Sequence, residues 1–213
     1  TVEGEITALQ DVNLKVKHKE FVSIVGPGGC GKSTLLSLIS GLIKPTRGEI
    51  LIDKEPVNGT SKRVGYMLQQ DYLFEWRTIL DNALLGLEIR KEKTSEAVDR
   101  VHQMLKVYGL GGFESYYPHQ LSGGMRQRVA LIRTLATEPD VLLLDEPFSA
   151  LDYQNRLAVG EEVARILRER EKTVIMVTHD IPEAVSMANR VVVMTPRPGT
   201  IQSIHSIKMC DEG

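Results

Sequence analysis

The stretch GPGGCGKST at residues 26–34 packs four glycines, a lysine and two hydroxyl side chains into nine positions. It satisfies the pattern G-x-x-x-x-G-K-[ST], whose chemistry is the holding of phosphate groups. Glycines at 26, 28, 29 and 31 let successive backbone N–H groups turn inward around an anion without Cβ clashes. A helix beginning just after them adds the attraction of its positive end, worth about 0.3–2 kcal/mol. Lys32 is then placed for the β- and γ-phosphates and the Ser33 hydroxyl for Mg²⁺. The spacing predicts a cradle for the phosphates of a nucleotide formed by Gly26, Pro27, Gly28, Gly29, Cys30, Gly31, Lys32, Ser33 and Thr34.

A metal-binding carboxylate should follow at the end of another buried strand, and VLLLDEP (141–147) supplies one. Asp145 is placed to hold Mg²⁺, through water, and Glu146 to accept a proton from an attacking water or to orient it. Two adjacent carboxylates closing an apolar run are hard to explain as packing, because burying unpaired charge is costly. Together the two stretches read as a P-loop NTPase with hydrolysis expected.

A second glycine-rich start opens LSGGMRQRVALIRTL (121–135). Ser122 is a suitable helix cap, but two glycines nucleate a helix poorly and leave its amino end accessible. That is a second place where backbone N–H groups could meet an anion.

The elements that must position these residues follow from patterning. FVSIVG (21–26) reads as a strand buried on both faces, and STLLSLISGL (33–42) as a helix ended by Gly41 and Pro45. ALQDVNLKV (8–16) alternates and predicts a half-buried strand, and GEILIDKEPV (48–57) predicts a return strand. From about Asp71 to Thr137 the pattern is helical, with Thr78 and Thr94/Ser95 as caps. Strand character returns in VLLLDEP, TVIMVTHD (173–180) and RVVVMTPRPGTI (190–201), with the amphipathic helix EEVARILREREK (161–172) between them. The predicted architecture is an α/β core with a mostly parallel sheet, an N-terminal antiparallel β part and an inserted helical subdomain. The expected boundaries are 1–70 and 137–213 for the core and 71–136 for the insertion.

Composition excludes several classes. The 213 residues are 42% hydrophobic and carry 26 basic against 28 acidic side chains, so the basic excess of a nucleic-acid binder is missing. No apolar run approaches the roughly 20 residues needed to cross a bilayer, and no leader pattern opens the chain. These point to a soluble chain whose membrane role would come through a partner. Cys30 and Cys210 lie far apart without a CxxC companion, so neither a disulfide nor a zinc site is expected.

Taken in order, the motifs resemble those of the nucleotide-binding subunits of ATP-binding-cassette (ABC) transporters, over essentially the whole chain. GPGGCGKST looks like Walker A with a RecA-like core, Gln69 in YMLQQD like the Q-loop glutamine, and LSGGM like the family signature, with Met125 in place of the usual glutamine. VLLLDEP resembles Walker B, SALD (149–152) the D-loop, and His179 in VTHD the switch histidine. The resemblance implies two copies packed head to tail, a homodimer with each ATP between the P-loop of one and Ser122, Gly123 and Gly124 of the other. It implies that Gln69 touches Mg²⁺ and senses the γ-phosphate, that Asp152 sits at the dimer contact, and that His179 hydrogen-bonds the γ-phosphate. Three departures stand out: Gly28 replaces a frequent serine, Lys19 replaces a usual glycine, and no aromatic precedes Phe21 to stack on adenine.

QDYLFEWRTILDNALLGL (70–87) resembles importer ATPases for nitrate, sulfonates and taurine, with Glu75 where those usually have proline; TPRPGTI (195–201) fits the same group. That resemblance implies a separate permease, docked near Leu73, Phe74 and Trp76, at the cytoplasmic face of the membrane, and indirectly a solute-binding protein. The competing readings are a separate-subunit exporter and a cassette ATPase outside transport. The latter class typically shows paired cassettes, a long coiled-coil insertion or a basic arm, none of which is visible here.

Overall fold

The structure is a computed structural model; it describes residues 6–151 and 153–208, the side chains of residues 153–155, 158 and 162 excepted. Asp152 therefore lies outside the described residues.

Short apolar runs rich in β-branched residues form the centre. Strands β1 (Phe21–Val25), β5 (Val141–Asp145) and β6 (Thr173–Val177) join β4 (Val64–Met67) and β7 (Arg190–Met194) in parallel. An antiparallel strand β8 (Ile201–Ser206) closes one edge, giving the order β4-β5-β6-β1-β7-β8. Helix α1 (Lys32–Ile39) covers one face, where Leu36 shares a buried apolar cluster with Val22, Ile24, Leu143, Ile175 and Val192. The opposite face is covered by α2 (Ile79–Arg90), α3 (Ser95–Val107), α4 (Gly123–Leu135), α5 (Tyr153–Glu169) and α6 (Ile181–Met187), in one continuous apolar core. Both faces being covered explains why the parallel strands read as unbroken apolar runs.

The helical stretch is built as the capping residues predict. The Thr78 hydroxyl accepts from Asp81 N at 3.1 Å and the Thr94 hydroxyl from Ala97 N at 3.2 Å, each satisfying a first-turn donor. Helix α5 starts at Tyr153, eight residues before the predicted start at 161.

Three expectations need correction. Residues 8–16 form no strand; only Leu9 bridges to Gly199. Val12, Leu14 and Val16 still turn their side chains onto the core while the residues between them are exposed. The alternation reported an extended half-buried segment correctly, but no neighbouring strand stands in register to give it a ladder. Residues 48–57 do not return to the main sheet. They fold back on themselves as a hairpin of β2 (Leu51–Ile52) and β3 (Glu55–Pro56), turned by Asp53 at φ 50° and Lys54 at φ 69°. Two successive positive φ values suit the turn that matches strand twist. This hairpin is the antiparallel part of the fold besides β8. Third, 190–201 is not one strand but all of β7, a connecting stretch and the first residue of β8. Lys19, standing at a glycine-like position, adopts φ 62° and donates its N–H to the Thr173 hydroxyl at 2.9 Å.

Candidate active site

Four parallel strands deliver their carboxyl ends to one edge: β1 into the loop 26–31, β4 into Leu68 and Gln69, β5 into Asp145 and Glu146, β6 into Thr178 and His179. That edge is where open α/β sheets bind ligands.

The phosphate-type loop is a tight return from β1 into α1. Gly31 occupies the cap position of α1 at φ 107°, and no side chain caps the helix. A Cβ at Gly31 would lie 2.7 Å from Leu9 Cδ2 and 3.1 Å from the Ala8 carbonyl, so conformation and space both demand glycine there. Lys32 is buried and folds back across the loop, its Nζ donating to the carbonyls of Gly26 at 2.8 Å and Pro27 at 2.9 Å. Cys30 is buried beneath the loop with its Sγ 3.8 Å from Lys32 Nζ. Pro27, Gly28, Gly29 and Ser33 are exposed, and Gly26 and Thr34 half-buried.

Asp145 is buried at the end of β5. Burial raises its carboxyl above the ordinary range; the Ser33 hydroxyl, the Lys32 charge and the Tyr66 hydroxyl oppose this, while Glu146 reinforces it. Tyr66 is itself raised, first by burial, with the Ser37 hydroxyl opposing and Asp145 adding to the rise. Hydroxyl and carboxylate oxygens therefore gather around the start of α1.

Glu146 is held in the left-handed region at φ 48°, its N–H donating to the Val177 carbonyl at 2.8 Å. That turn lifts its carboxylate off the strand and between two partners. Gln69 Nε2 donates to Oε2 at 3.0 Å, and His179 Nδ1 lies 3.4 Å from Oε1. Residues far apart in the chain thus meet on one carboxylate.

The second glycine-rich start is built otherwise. Ser122 is exposed and caps α4, its hydroxyl accepting from Met125 N at 3.3 Å. Gly124 is buried, and a Cβ there would stand 2.2 Å from Leu151 Cδ2. Gly123 faces Ala150. Among the described residues, Ser122, Gly123 and Gly124 share no hydrogen bond with the loop 26–34; they sit against the D-loop of their own chain. Sequence reasoning missed Gln127, which is buried and grips that loop twice. Its Nε2 donates to the Ser149 hydroxyl and its Oε1 accepts from Ala150 N, both at 3.1 Å. It also missed Arg156, whose guanidinium donates to Asp180 and to the Leu151 carbonyl. The signal for Gln127 was an amide on the apolar side of α4; Arg156 had none.

Of the three predicted groove residues, Leu73 belongs to the core at 8% exposure, Phe74 is half-buried and Trp76 is 73% exposed. The Phe74 and Trp76 rings stand 4.6 Å apart. On the inner side, Arg126 pairs with Asp71 at 3.0 Å and Arg133 donates to the carbonyls of Asp71 and Tyr72, so α4 holds the segment after Gln69 directly.

Residues 9–149 match the ABC transporter family. The chain belongs to that family. It is 47% identical over 207 residues to the uncharacterized ABC transporter ATP-binding protein YtlC of Bacillus subtilis (strain 168), covering 97% of this chain and 80% of the relative. It is 41% identical to the taurine import ATP-binding protein TauB of Jannaschia sp. (strain CCS1), covering 99% and 78%. Identity is also 41% to the aliphatic sulfonates import ATP-binding protein SsuB of Bacillus anthracis, covering 94% and 79%. Among solved structures, the dimeric post-hydrolysis state of the ATP-binding cassette MJ0796 bound to ADP and Pi superposes with a TM-score of 0.85, at 34% identity over 99% of this chain and 95% of that one. This chain is thus an ABC-type ATPase on a P-loop α/β fold. No helix among the described residues is long and apolar enough to cross a membrane.

Proposed function

We propose that the chain is the ATP-hydrolysing subunit of an importer for a small solute of the taurine, sulfonate or nitrate kind. It would work as a homodimer at the cytoplasmic face of the membrane, bound to a separate permease and served by a solute-binding protein. One observation carries the reading: the capped, glycine-rich start of α4 turns to its own D-loop and shares no hydrogen bond with its own phosphate loop. A helix start of that kind serves an anion held by a second copy. The cassette MJ0796, at 34% identity, is named as a dimer bound to ADP and Pi, and relatives at 40–41% identity are named as taurine and sulfonate import proteins.

In this mechanism the N–H groups of the loop 26–34 and Lys32 hold the triphosphate, Lys32 exchanging the carbonyls of Gly26 and Pro27 for phosphate oxygens. Ser122, Gly123 and Gly124 of a second copy close on the γ-phosphate. Glu146 orients the attacking water or takes its proton, with Gln69 and His179 steadying one carboxylate oxygen each. His179 then reaches the γ-phosphate, and Asp152 lies at the contact between copies. The Ser33 hydroxyl, the buried Asp145 carboxylate and the Gln69 amide are hard oxygen donors that suit Mg²⁺. Bound there, Mg²⁺ would supply positive charge that offsets the negative charge developing during phosphoryl transfer.

Residues 71–136 act as a helical arm on the core formed by 1–70 and 137–213, with exposed Trp76 and Tyr72 offered to the permease. Preferential binding of ATP to the closed dimer is what shifts the equilibrium and moves the permease. Ser122→Arg tests the reading. ATP turnover should fall at least about 100-fold, while the ATP affinity of the monomer, followed by a fluorescent analogue, stays within about two-fold. Unchanged turnover would remove the role of the second copy.

A further inference from the structure

The His179 side chain has few restraints of its own. The His179 side chain is 58% exposed, and its one ion-pair partner among the described residues is Glu146 at 3.4 Å. Its position must therefore come from the backbone on either side. Thr178 is buried; its hydroxyl accepts from Asp180 N at 3.0 Å and donates to the buried carboxyl of Glu183. On the other side stands Asp180, whose carboxylate is divided. Oδ1 accepts from Glu183 N at 3.0 Å and caps α6. Oδ2 accepts from Arg156 Nη1 at 3.1 Å, in a pair whose side chains are only 17% and 12% exposed.

The other prong of the same guanidinium, Nη2, donates to the Leu151 carbonyl at 2.9 Å. Leu151 is the D-loop residue whose side chain stands over Gly124 at the start of α4. We propose that Arg156 is a positioning residue for hydrolysis: its forked head ties the D-loop to the switch loop, so that His179 stays at Glu146 only while the D-loop keeps its place. The head of α4, which faces a second copy, is thereby connected within one chain to the hydrolytic carboxylate. The route runs from Gly124 to Leu151, Arg156, Asp180 and His179. A purely structural task for Arg156 is separable, because the cap of α6 uses the other carboxylate oxygen. Two fixed prongs are what the task needs, and a lysine offers one point charge on a flexible stem.

The inference rests on the proposed roles of His179 and Glu146, and the experiment separates the two. Steady-state ATP hydrolysis is measured for the purified chain and for Arg156→Lys, Arg156→Ala, His179→Ala and the combination of each Arg156 change with His179→Ala. Far-UV circular dichroism confirms folding, and Arg156→Lys, which keeps charge and stem, stands in if the alanine variant does not fold. Both Arg156 variants should lower kcat about ten-fold or more with KM for ATP within about two-fold. In the His179→Ala background the same changes should cost less than about two-fold, because the two residues act through one step. Equal fold-losses in both backgrounds, or full activity in Arg156→Lys, would overturn the positioning role. If His179→Ala alone turned over at the parental rate, the reading of His179 itself would fall, and this inference with it.

Discussion

Two helices of this chain begin in glycine, and they need it for different reasons. At the start of α1 the demand is on the backbone: Gly31 sits at φ 107° and its helix has no side-chain cap. At the start of α4 neither Gly123 nor Gly124 has a positive φ, Ser122 caps the helix, and the demand is for space beneath Leu151. The first start is a tight return with Lys32 folded across it, the shape that the proposed closing of the loop around an anion requires. The second is an ordinary capped helix pared down so that a neighbouring loop can lie against it. Similar composition therefore meets two different demands, one of backbone conformation and one of space, matching the two roles proposed for these helix starts.

That contrast can be broken by substitution. The largest effect belongs to Gly31→Ala, which combines backbone strain of about 1–3 kcal/mol with contacts on Leu9 and Ala8. It should lower the melting temperature and abolish measurable ATP binding in a nucleotide titration. Adding Leu9→Ala should not restore binding, because the left-handed conformation remains. Full recovery would mean that space, not conformation, rules this site too.

Gly124→Ala should cost less, about 1–3 kcal/mol of overpacking, and should lower turnover while leaving the monomer's ATP affinity intact. Here removing the neighbour should help. In Gly124→Ala/Leu151→Ala the loss should be smaller than the sum of the single losses by at least about 0.5 kcal/mol in thermal or denaturant unfolding. Strict additivity would contradict the steric account. The smallest effect belongs to Gly28→Ser, where no atom stands within 4 Å of the added Cβ and φ is not positive. Stability should move by no more than about 0.5 kcal/mol, and ATP affinity should be retained.

Much of the candidate site was legible in the sequence because the chemistry proposed for it uses few residue types at fixed spacings. The loop 26–34, Asp145 with Glu146, and His179 each follow an apolar run, so their place at strand ends could be read directly. The central strands were legible for the same reason. Strand β4 was not: Val64–Met67 is short, and Gly65 interrupts it to clear Pro139, where a Cβ would stand 2.7 Å from Cγ. Residues 8–16 show the limit of alternation, which reports burial on one side but not the partner. Gln127 left only the faint signal of an amide on an apolar helix face, and Arg156 left none, for a related reason. The partners of Gln127 lie 22 and 23 residues away and Asp180 lies 24 from Arg156, and only tertiary packing brings these groups together. Residues proposed to touch the ligand carry motif spacing; residues that hold those residues in place do not.

The central claim is that ATP is shared between the phosphate loop of one copy and the α4 start of another. Sizing of Glu146→Gln by gel filtration with ATP tests it most directly, because that variant should bind ATP without consuming it. The account predicts a dimer that requires ATP and reverts to monomer when Ser122→Arg is added, with ATP still bound by the monomer. A species that stays monomeric in saturating ATP, or a dimer indifferent to Ser122→Arg, would contradict it.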